Sequence, residues 1–306
     1  MQILIIGGNG FIGSHLTDFL VAKGQSVRVY NRSPNPYCQP LEEVEYIYGD
    51  FANQNLLKTA LKGVDIVYQL VSTTIPTTSN DNPKLDVASN VIDTLNLLEN
   101  CVQASVSKII FPSSGGTVYG IPQSIPLTET HPTQPICSYG ITKITIEKYL
   151  HLFHYLYGLD YSILRIANPY GPRQNPTGKI GAITVFLYRI MNNLPIQIWG
   201  DGEIVRDYLY ISDVIQALYV AQNTDINAKL FNIGSGQGIS LNELLAKIHQ
   251  VVKHDFQVNY ITGRKVDIPI NVLDISRANK ILKWQPTINL ETGIEKTWWW
   301  LKKSCV

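Results

Sequence analysis

The sequence predicts an α/β protein, a doubly wound parallel sheet with a smaller, discontinuous α/β unit beside it. Three observations predict this. Short β-branched runs alternate with longer helical patterns through the first half. A glycine-rich turn lies directly between the first strand pattern and the first helix pattern. The rhythm then breaks after Asn168-Pro169-Tyr170-Gly171-Pro172, where Pro, Gly and Asn cluster through Pro176. Strand–helix alternation of this kind implies parallel strands covered by helices on both faces.

The expected strands are residues 3–6, 27–30, 45–48, 66–70, 108–112 and 161–166. The expected helices between them include 13–22, 56–61, 87–102 and 139–155. The first domain is expected to span 1–172 plus about 207–228, and the second about 173–206 and 229–306. Trp298-Trp299-Trp300 reads as a helix packed on the body.

At 306 residues, with 45% hydrophobic and 16% charged residues, the chain can bury a large core and is not disordered. A net charge of +1 gives no reason to expect nucleic acid or an anionic membrane as partner. Cys38, Cys101, Cys137 and Cys305 form no C-x-x-C pair, so reduced thiols are expected and no metal site. No apolar run reaches the roughly 18 residues needed to span a bilayer. The chain opens straight into Ile3-Leu4-Ile5-Ile6 with no basic leader, and a cytoplasmic location is expected.

Gly7-Gly8-Asn9-Gly10-Phe11-Ile12-Gly13 follows the first strand and opens the first helix. Glycines at 7, 10 and 13 allow a tight turn and close approach of backbone to a pyrophosphate, while the helix N-terminus at Phe11 and Ile12 offers free N–H groups. This is the Rossmann-type dinucleotide fingerprint in its required context. The residue expected to meet the ribose 2′-hydroxyl of NAD is acidic. Here Asn31-Arg32-Ser33 stands at the second strand's end. Asn31 removes a charge that would repel a 2′-phosphate and Arg32 suits one, so NADP(H) is favoured with NAD(H) as the alternative. Asp50 and Phe51, after the third strand, are candidate adenine contacts.

Of the 17 tyrosines, Tyr139 alone has a lysine four residues on, at Lys143. That spacing puts phenol and ammonium on one helical face. An ammonium about 4 Å from the phenol favours the phenolate by roughly 4 kcal/mol at an effective dielectric of ~20. That would bring a group with pKa ~10 to ~7, near the working pH of a general base.

A dinucleotide loop, then the serine-rich strand end Phe111-Pro112-Ser113-Ser114-Gly115-Gly116-Thr117-Val118-Tyr119-Gly120, then Tyr-x-x-x-Lys, resembles the extended short-chain dehydrogenase/reductase family. Val205-Arg206-Asp207-Tyr208, Phe231-Asn232-Ile233-Gly234 and Leu282-Lys283-Trp284-Gln285-Pro286 extend the likeness to its nucleotide-sugar branch, around the UDP-hexose 4-epimerases. The resemblance implies that Tyr139 is the base and that Lys143 holds the cofactor ribose. It also implies cofactor contacts at Leu70, Asn90 and Ile166, and substrate contacts at Ser72, Thr73, Asn168, Arg206, Arg264 and Asp267. The expected substrate is a nucleotide-diphospho-sugar, and the helices at 87–102 and 139–155 resemble the family's homodimer-forming pair.

One position departs from the pattern. The family has Ser or Thr four residues before the tyrosine of Val-Tyr-Gly, and this chain has Gly115. Ser114, Thr117 or water must take that role. The acidic residues that dehydratases and decarboxylases resembling this chain carry before Val-Tyr-Gly are replaced by Gly116-Thr117, which leaves hydride transfer at a carbon bearing hydroxyl or ketone, a carbon the family resemblance implies is C4. Asn31-Arg32 tilts the expectation toward an NADPH-dependent reductase of a 4-keto(-6-deoxy) sugar nucleotide, such as dTDP-4-keto-6-deoxyglucose, serving surface polysaccharide precursors. The alternatives are an NAD-dependent UDP-hexose 4-epimerase and a non-catalytic NAD(P)-binding regulator.

Overall fold

The computed structural model describes residues 1–223, 229–263 and 267–304. In chain order the first half runs β1 Gln2–Ile6, α1 Phe11–Ala22, β2 Ser26–Asn31, β3 Glu45–Tyr48, α2 Gln54–Ala60, β4 Ile66–Gln69, α3 Pro83–Asp86, α4 Asp93–Gln103, β5 Lys108–Ser114, α5 Ser138–Tyr157 and β6 Asp160–Ile166. The rest is β7 Asn168–Tyr170, α6 Ala182–Met191, β8 Ile196–Trp199, β9 Val205–Tyr210, α7 Ile211–Asn223, β10 Leu230–Ile233, β11 Gly238–Ser240, α8 Leu241–Val252, β12 Val258–Ile261, β13 Ile270–Asn271 and α9 Leu290–Ser304.

Among the described residues, a seven-stranded sheet has the order β10-β6-β5-β4-β1-β2-β3, and every pairing in it is parallel. The order reverses between β1 and β4, the point where doubly wound sheets bind ligands at their carboxyl ends. Ile3 and Ile5 enter one hydrophobic cluster with Leu16, Leu20, Val214 and Leu218. Leu4 and Ile6 enter the opposite one with Leu57, Leu97, Phe111 and Ile146. Alternate residues of one strand thus serve two cores, so the apolar run 3–6 needs no polar residue.

Three expectations shift. The strand Leu230–Ile233 pairs with β6 and completes the large sheet, so the sheet layer runs past the boundary read at about 228. The helix expected over 87–102 starts earlier, at Pro83, because Asn82 accepts from Leu85 N–H and Pro83 occupies the first helical turn. It then widens to a π-helical stretch at Val87–Ile92 before α4. Helix α1 starts at Phe11, since Gly10, at φ −76° and ψ 179°, is its N-cap.

Smaller sheets lie beside the large one. Strand β9 pairs with β7, β11 and β13, and β12 pairs with β8. Helix α9 carries the tryptophan run: Trp298 is buried and Trp299 exposed, as a helix lying on the body requires. Cys38, Cys101 and Cys137 are free thiols, and Cys305 lies outside the described residues. Among the described residues, no helix is long and apolar enough to cross a membrane, and no cluster of His, Cys, Asp or Glu could hold a metal.

Candidate active site

The loop after β1 is built from its own backbone. Gly7 N–H donates to Tyr30 O at 2.8 Å, Gly10 N–H to Gly7 O at 3.0 Å, and Ser14 N–H to Gly10 O at 2.9 Å. Gly7 sits at φ +88°, where a side chain is strained. A Cβ on Gly13 would fall 2.2 Å from Gly7 O, so only glycine closes this turn. A Cβ on Gly10 would meet nothing nearer than Gly7 O at 3.2 Å. Gly10 has no side chain to cap the helix, so the first-turn N–H groups of Phe11 and Ile12 remain for an anion. These residues fit a dinucleotide pyrophosphate.

Asn31 has a local task. Its Oδ1 accepts from Asn9 N–H at 3.4 Å and its Nδ2 donates to Ser33 O at 2.7 Å; Asn9 Nδ2 donates to the same carbonyl at 2.8 Å. The amide therefore ties the glycine loop to the end of β2, while Arg32 is exposed. Asp50 is exposed, and its Oδ1 accepts from Ala52 N–H at 3.0 Å. The Phe51 side chain lies in the core with Leu4 and Tyr30 and presents no free face to a ligand. Leu70 lies against the loop: its N–H donates to Ile6 O at 2.9 Å, and a Cβ on Gly7 would meet its carbonyl carbon at 3.3 Å. Ile166 is buried at the end of β6, its carbonyl accepting from Gly115 N–H at 2.8 Å.

The π-helical stretch points Asn90 at the loop after β4. Its Oδ1 accepts from Thr73 N–H at 3.0 Å, and its Nδ2 donates to Thr73 Oγ1 at 2.9 Å and Asp86 Oδ1 at 2.9 Å. Asp86, fully buried, also accepts from Thr74 Oγ1 and, at 2.6 Å, from Ser138 Oγ beside Tyr139. Asp86 thereby joins the Ser72–Thr74 loop to the first turn of α5. Sequence reasoning missed it, and the Asn82-Pro83 cap was the available signal.

Tyr139 and Lys143 stand one turn apart on α5. Lys143 Nζ donates to Pro112 O at 3.1 Å and lies 4.6 Å from the Phe111 ring centre and 5.6 Å from that of Tyr139. Burial pushes the Tyr139 phenol up to about 12, with the Cys137 sulfur adding to the rise and a hydrogen bond with Ser72 opposing it. Burial pushes Lys143 down to about 8, against the pull of Glu147 and then Asp86. The near-neutral phenol expected from spacing is therefore corrected. Desolvation of the phenolate sets the direction, while the Lys143 ammonium lies 5.6 Å from the ring centre and bonds the Pro112 carbonyl.

One further turn along the same face is Glu147, which accepts from Ser113 Oγ at 2.5 Å and from Arg165. Burial alone would lower the Arg165 guanidinium, but Glu147's hydrogen bonds and charge raise it and hold it ionised. Neither residue was read from sequence as part of the site.

The serine-rich strand end meets α5 here. A Cβ on Gly140 would lie 2.9 Å from Thr117 O, so Thr117 packs against the turn that carries Tyr139. A Cβ on Gly116 would lie 3.9 Å from Ser114 Oγ and 4.0 Å from Asn168 Oδ1, so those two face a common space. Asn168 Nδ2 donates to Asp207 O at 2.8 Å, which leads to Arg206 on β9. Arg206 Nη1 donates to Val205 O at 2.9 Å, and its charge opposes the burial that pushes Tyr208 up to about 12. Asp207, also missed, is fully buried and accepts from Ser235 N–H and Oγ–H, Gly236 N–H and Leu273 N–H. Asp267 is half-buried, and Arg264 lies outside the described residues.

The model of the NAD dependent epimerase/dehydratase family matches residues 3–234. The chain is 35% identical, over 99% of its length and 99% of the relative's, to a putative UDP-glucose 4-epimerase of Methanocaldococcus jannaschii. It is 36% identical, over 96% of its length and 95% of the relative's, to a dTDP-4-dehydro-6-deoxyglucose reductase of Escherichia coli. Its fold matches the crystal structure of Thermus thermophilus UDP-glucose 4-epimerase in complex with NAD, with a TM-score of 0.92, 30% identity and 99% of each chain covered.

Proposed function

The chain belongs to the NAD-dependent epimerase/dehydratase family and is an enzyme, and from that premise we propose that it inverts C4 of a UDP-hexose with NAD⁺ as cofactor. This reverses the preference read from Asn31 and Arg32. The observation that carries the reading is the full-length likeness to 4-epimerases, one of them solved with NAD. The engagement of Asn31 within the glycine loop supports it, since that amide is spent on Asn9 and Ser33 rather than reserved for a 2′-phosphate.

In this reading Gly7, Gly10, Phe11, Ile12 and Gly13 hold the pyrophosphate. Asn31, Arg32 and Asp50 flank the adenosine, while Leu70, Asn90, Lys143 and Ile166 line the nicotinamide end. NAD⁺ bound there would supply the hydride-accepting and hydride-returning chemistry at C4 and a positive charge that favours the phenolate. Tyr139 takes the proton of the C4 hydroxyl and later gives it back to the same oxygen, so protons and electrons balance over the cycle. Lys143 holds positive charge beside the phenol. Ser72, Thr73 and Asn168 face the sugar, and Arg206 with Arg264 and Asp267 holds the diphosphate and its ribose.

A second reading, reduction of a 4-keto-6-deoxy sugar nucleotide, is favoured by the 36% identity to the Escherichia coli reductase. There Tyr139 donates its proton to the ketone oxygen and the cofactor is consumed. One experiment separates the two. The protein is incubated with UDP-glucose and no added cofactor, and separately with dTDP-4-keto-6-deoxyglucose plus NADH or NADPH. Appearance of UDP-galactose is expected; stoichiometric loss of reduced nicotinamide with no hexose interconversion would establish the reductase instead.

We also propose that the active form is a homodimer. Leu85, Val87 and Ile92 are exposed beside α4, and Ile141 is exposed on the adjoining α5. A second copy would cover this apolar face. Light scattering at micromolar concentration should report twice the chain mass.

A further inference from the structure

We propose that Thr117 supplies the hydroxyl that meets the reacting C4 oxygen beside Tyr139, and that Leu273 assigns it this place by filling the space at Gly115. This rests on the C4 chemistry proposed above.

Gly115 is held on both sides. Its N–H donates to Ile166 O at 2.8 Å, and its carbonyl accepts from Nδ2 of the fully buried Asn271 at 3.0 Å. A Cβ built there would lie 2.5 Å from Leu273 Cδ1, 3.1 Å from Leu273 Cδ2 and 3.1 Å from Arg165 O. Leu273 has little room to yield. It is fully buried and packs among Val118, Tyr119, Leu127 and Ala167. Its N–H donates to Asp207 Oδ2 at 3.3 Å, and its neighbours Val272 and Asp274 are pinned to Leu127 by two backbone hydrogen bonds of 2.8 Å. A serine or threonine at 115 would have to displace this side chain.

The hydroxyl is then supplied from elsewhere in the same loop. Thr117 Oγ1 is buried and has no hydrogen-bond partner, a costly condition for a hydroxyl that a substrate oxygen would relieve. Its backbone abuts Gly140, the residue after Tyr139. Ser114 Oγ, by contrast, faces Asn168 across Gly116. The loop thus carries two hydroxyls, one on a residue whose backbone packs against the turn bearing Tyr139 and one facing the Asn168 side.

The test measures kcat on whichever sugar nucleotide the wild type converts. Thr117→Val should lower kcat about 100-fold or more while UDP affinity holds, and Thr117→Ser should keep most of the rate. Gly115→Ser should restore activity to Thr117→Val only when Leu273→Ala accompanies it. Thr117→Val within about two-fold of wild type, or a larger kcat loss in Ser114→Ala, would overturn the assignment. A thermal double-mutant cycle needs no substrate. Gly115→Ser should lower Tm in the Leu273 background and less, or not at all, in Leu273→Ala; strictly additive losses would remove the steric half of the proposal. A wild type that converts no sugar nucleotide would defeat the C4 reading, and Thr117's role with it, while the thermal cycle would still decide the contact between 115 and 273.

Discussion

Glu147 and Arg165 form a two-point ion pair, Nη2 to Oε2 at 2.6 Å and Nε to Oε1 at 3.0 Å, with each side chain 5% exposed. The pair links α5, one turn beyond Lys143, to β6, whose end bears Ile166. Removing one partner leaves the other charge buried and unpaired. Arg165→Met should therefore cost about 3–5 kcal/mol in a urea titration, and Glu147→Met/Arg165→Met should recover much of the loss. A double variant no more stable than the single one would show that the unpaired buried charge is not the source of the loss.

In the proposed reaction Tyr139→Phe removes the group that exchanges a proton with the C4 oxygen. A kcat loss of ~10²–10⁴-fold is expected, with NAD⁺ and UDP affinities kept. Calorimetry checks the binding and a coupled assay the rate. Near-normal turnover would move the base elsewhere.

Lys143 titrates at about 8 in the folded chain against an ordinary 10.5. Between those values the unfolded chain binds the extra proton, so this group makes stability rise with pH across that window. Tyr139 works oppositely at higher pH: its folded value of about 12 exceeds the ordinary 10.0, so its contribution is complete below the lower value and lost through the upper one. Tm of wild type minus Lys143→Met, measured below pH 8 and again near pH 10, should increase. A constant difference would mean that burial does not govern the ammonium.

Asn31 binds the glycine loop, and Asn31→Ala removes bonds typically worth about 0.5–1.5 kcal/mol each. Fluorescence titration should find NADH and NADPH weakened alike, with the wild type binding NADH at least as tightly. Selective loss of NADPH would return the 2′-phosphate to this strand end.

Arg206→Ala should weaken UDP binding by roughly 1.5–3 kcal/mol, the range for charged hydrogen bonds, and leave NAD⁺ affinity unchanged. Equal losses for both ligands would indicate a disturbed β9 rather than a lost diphosphate contact.

What the sequence by itself determined is local in origin. The apolar run 3–6, the strand–helix alternation, the Gly7–Gly13 spacing and the four-residue step from Tyr139 to Lys143 each follow from backbone period or steric limits within one segment. The large sheet and the placing of Tyr139 and Lys143 on one helix were legible for that reason. Tertiary structure alone decided the rest. It placed Leu230–Ile233 on β6, turned Asn90 toward Thr73 through a π-helical stretch, and set Leu273 against a glycine far away in sequence. It also reversed the expected shift of the Tyr139 phenol. A pKa follows the balance of burial and charge in three dimensions, and burial is the sum of segments that meet only when the chain has folded.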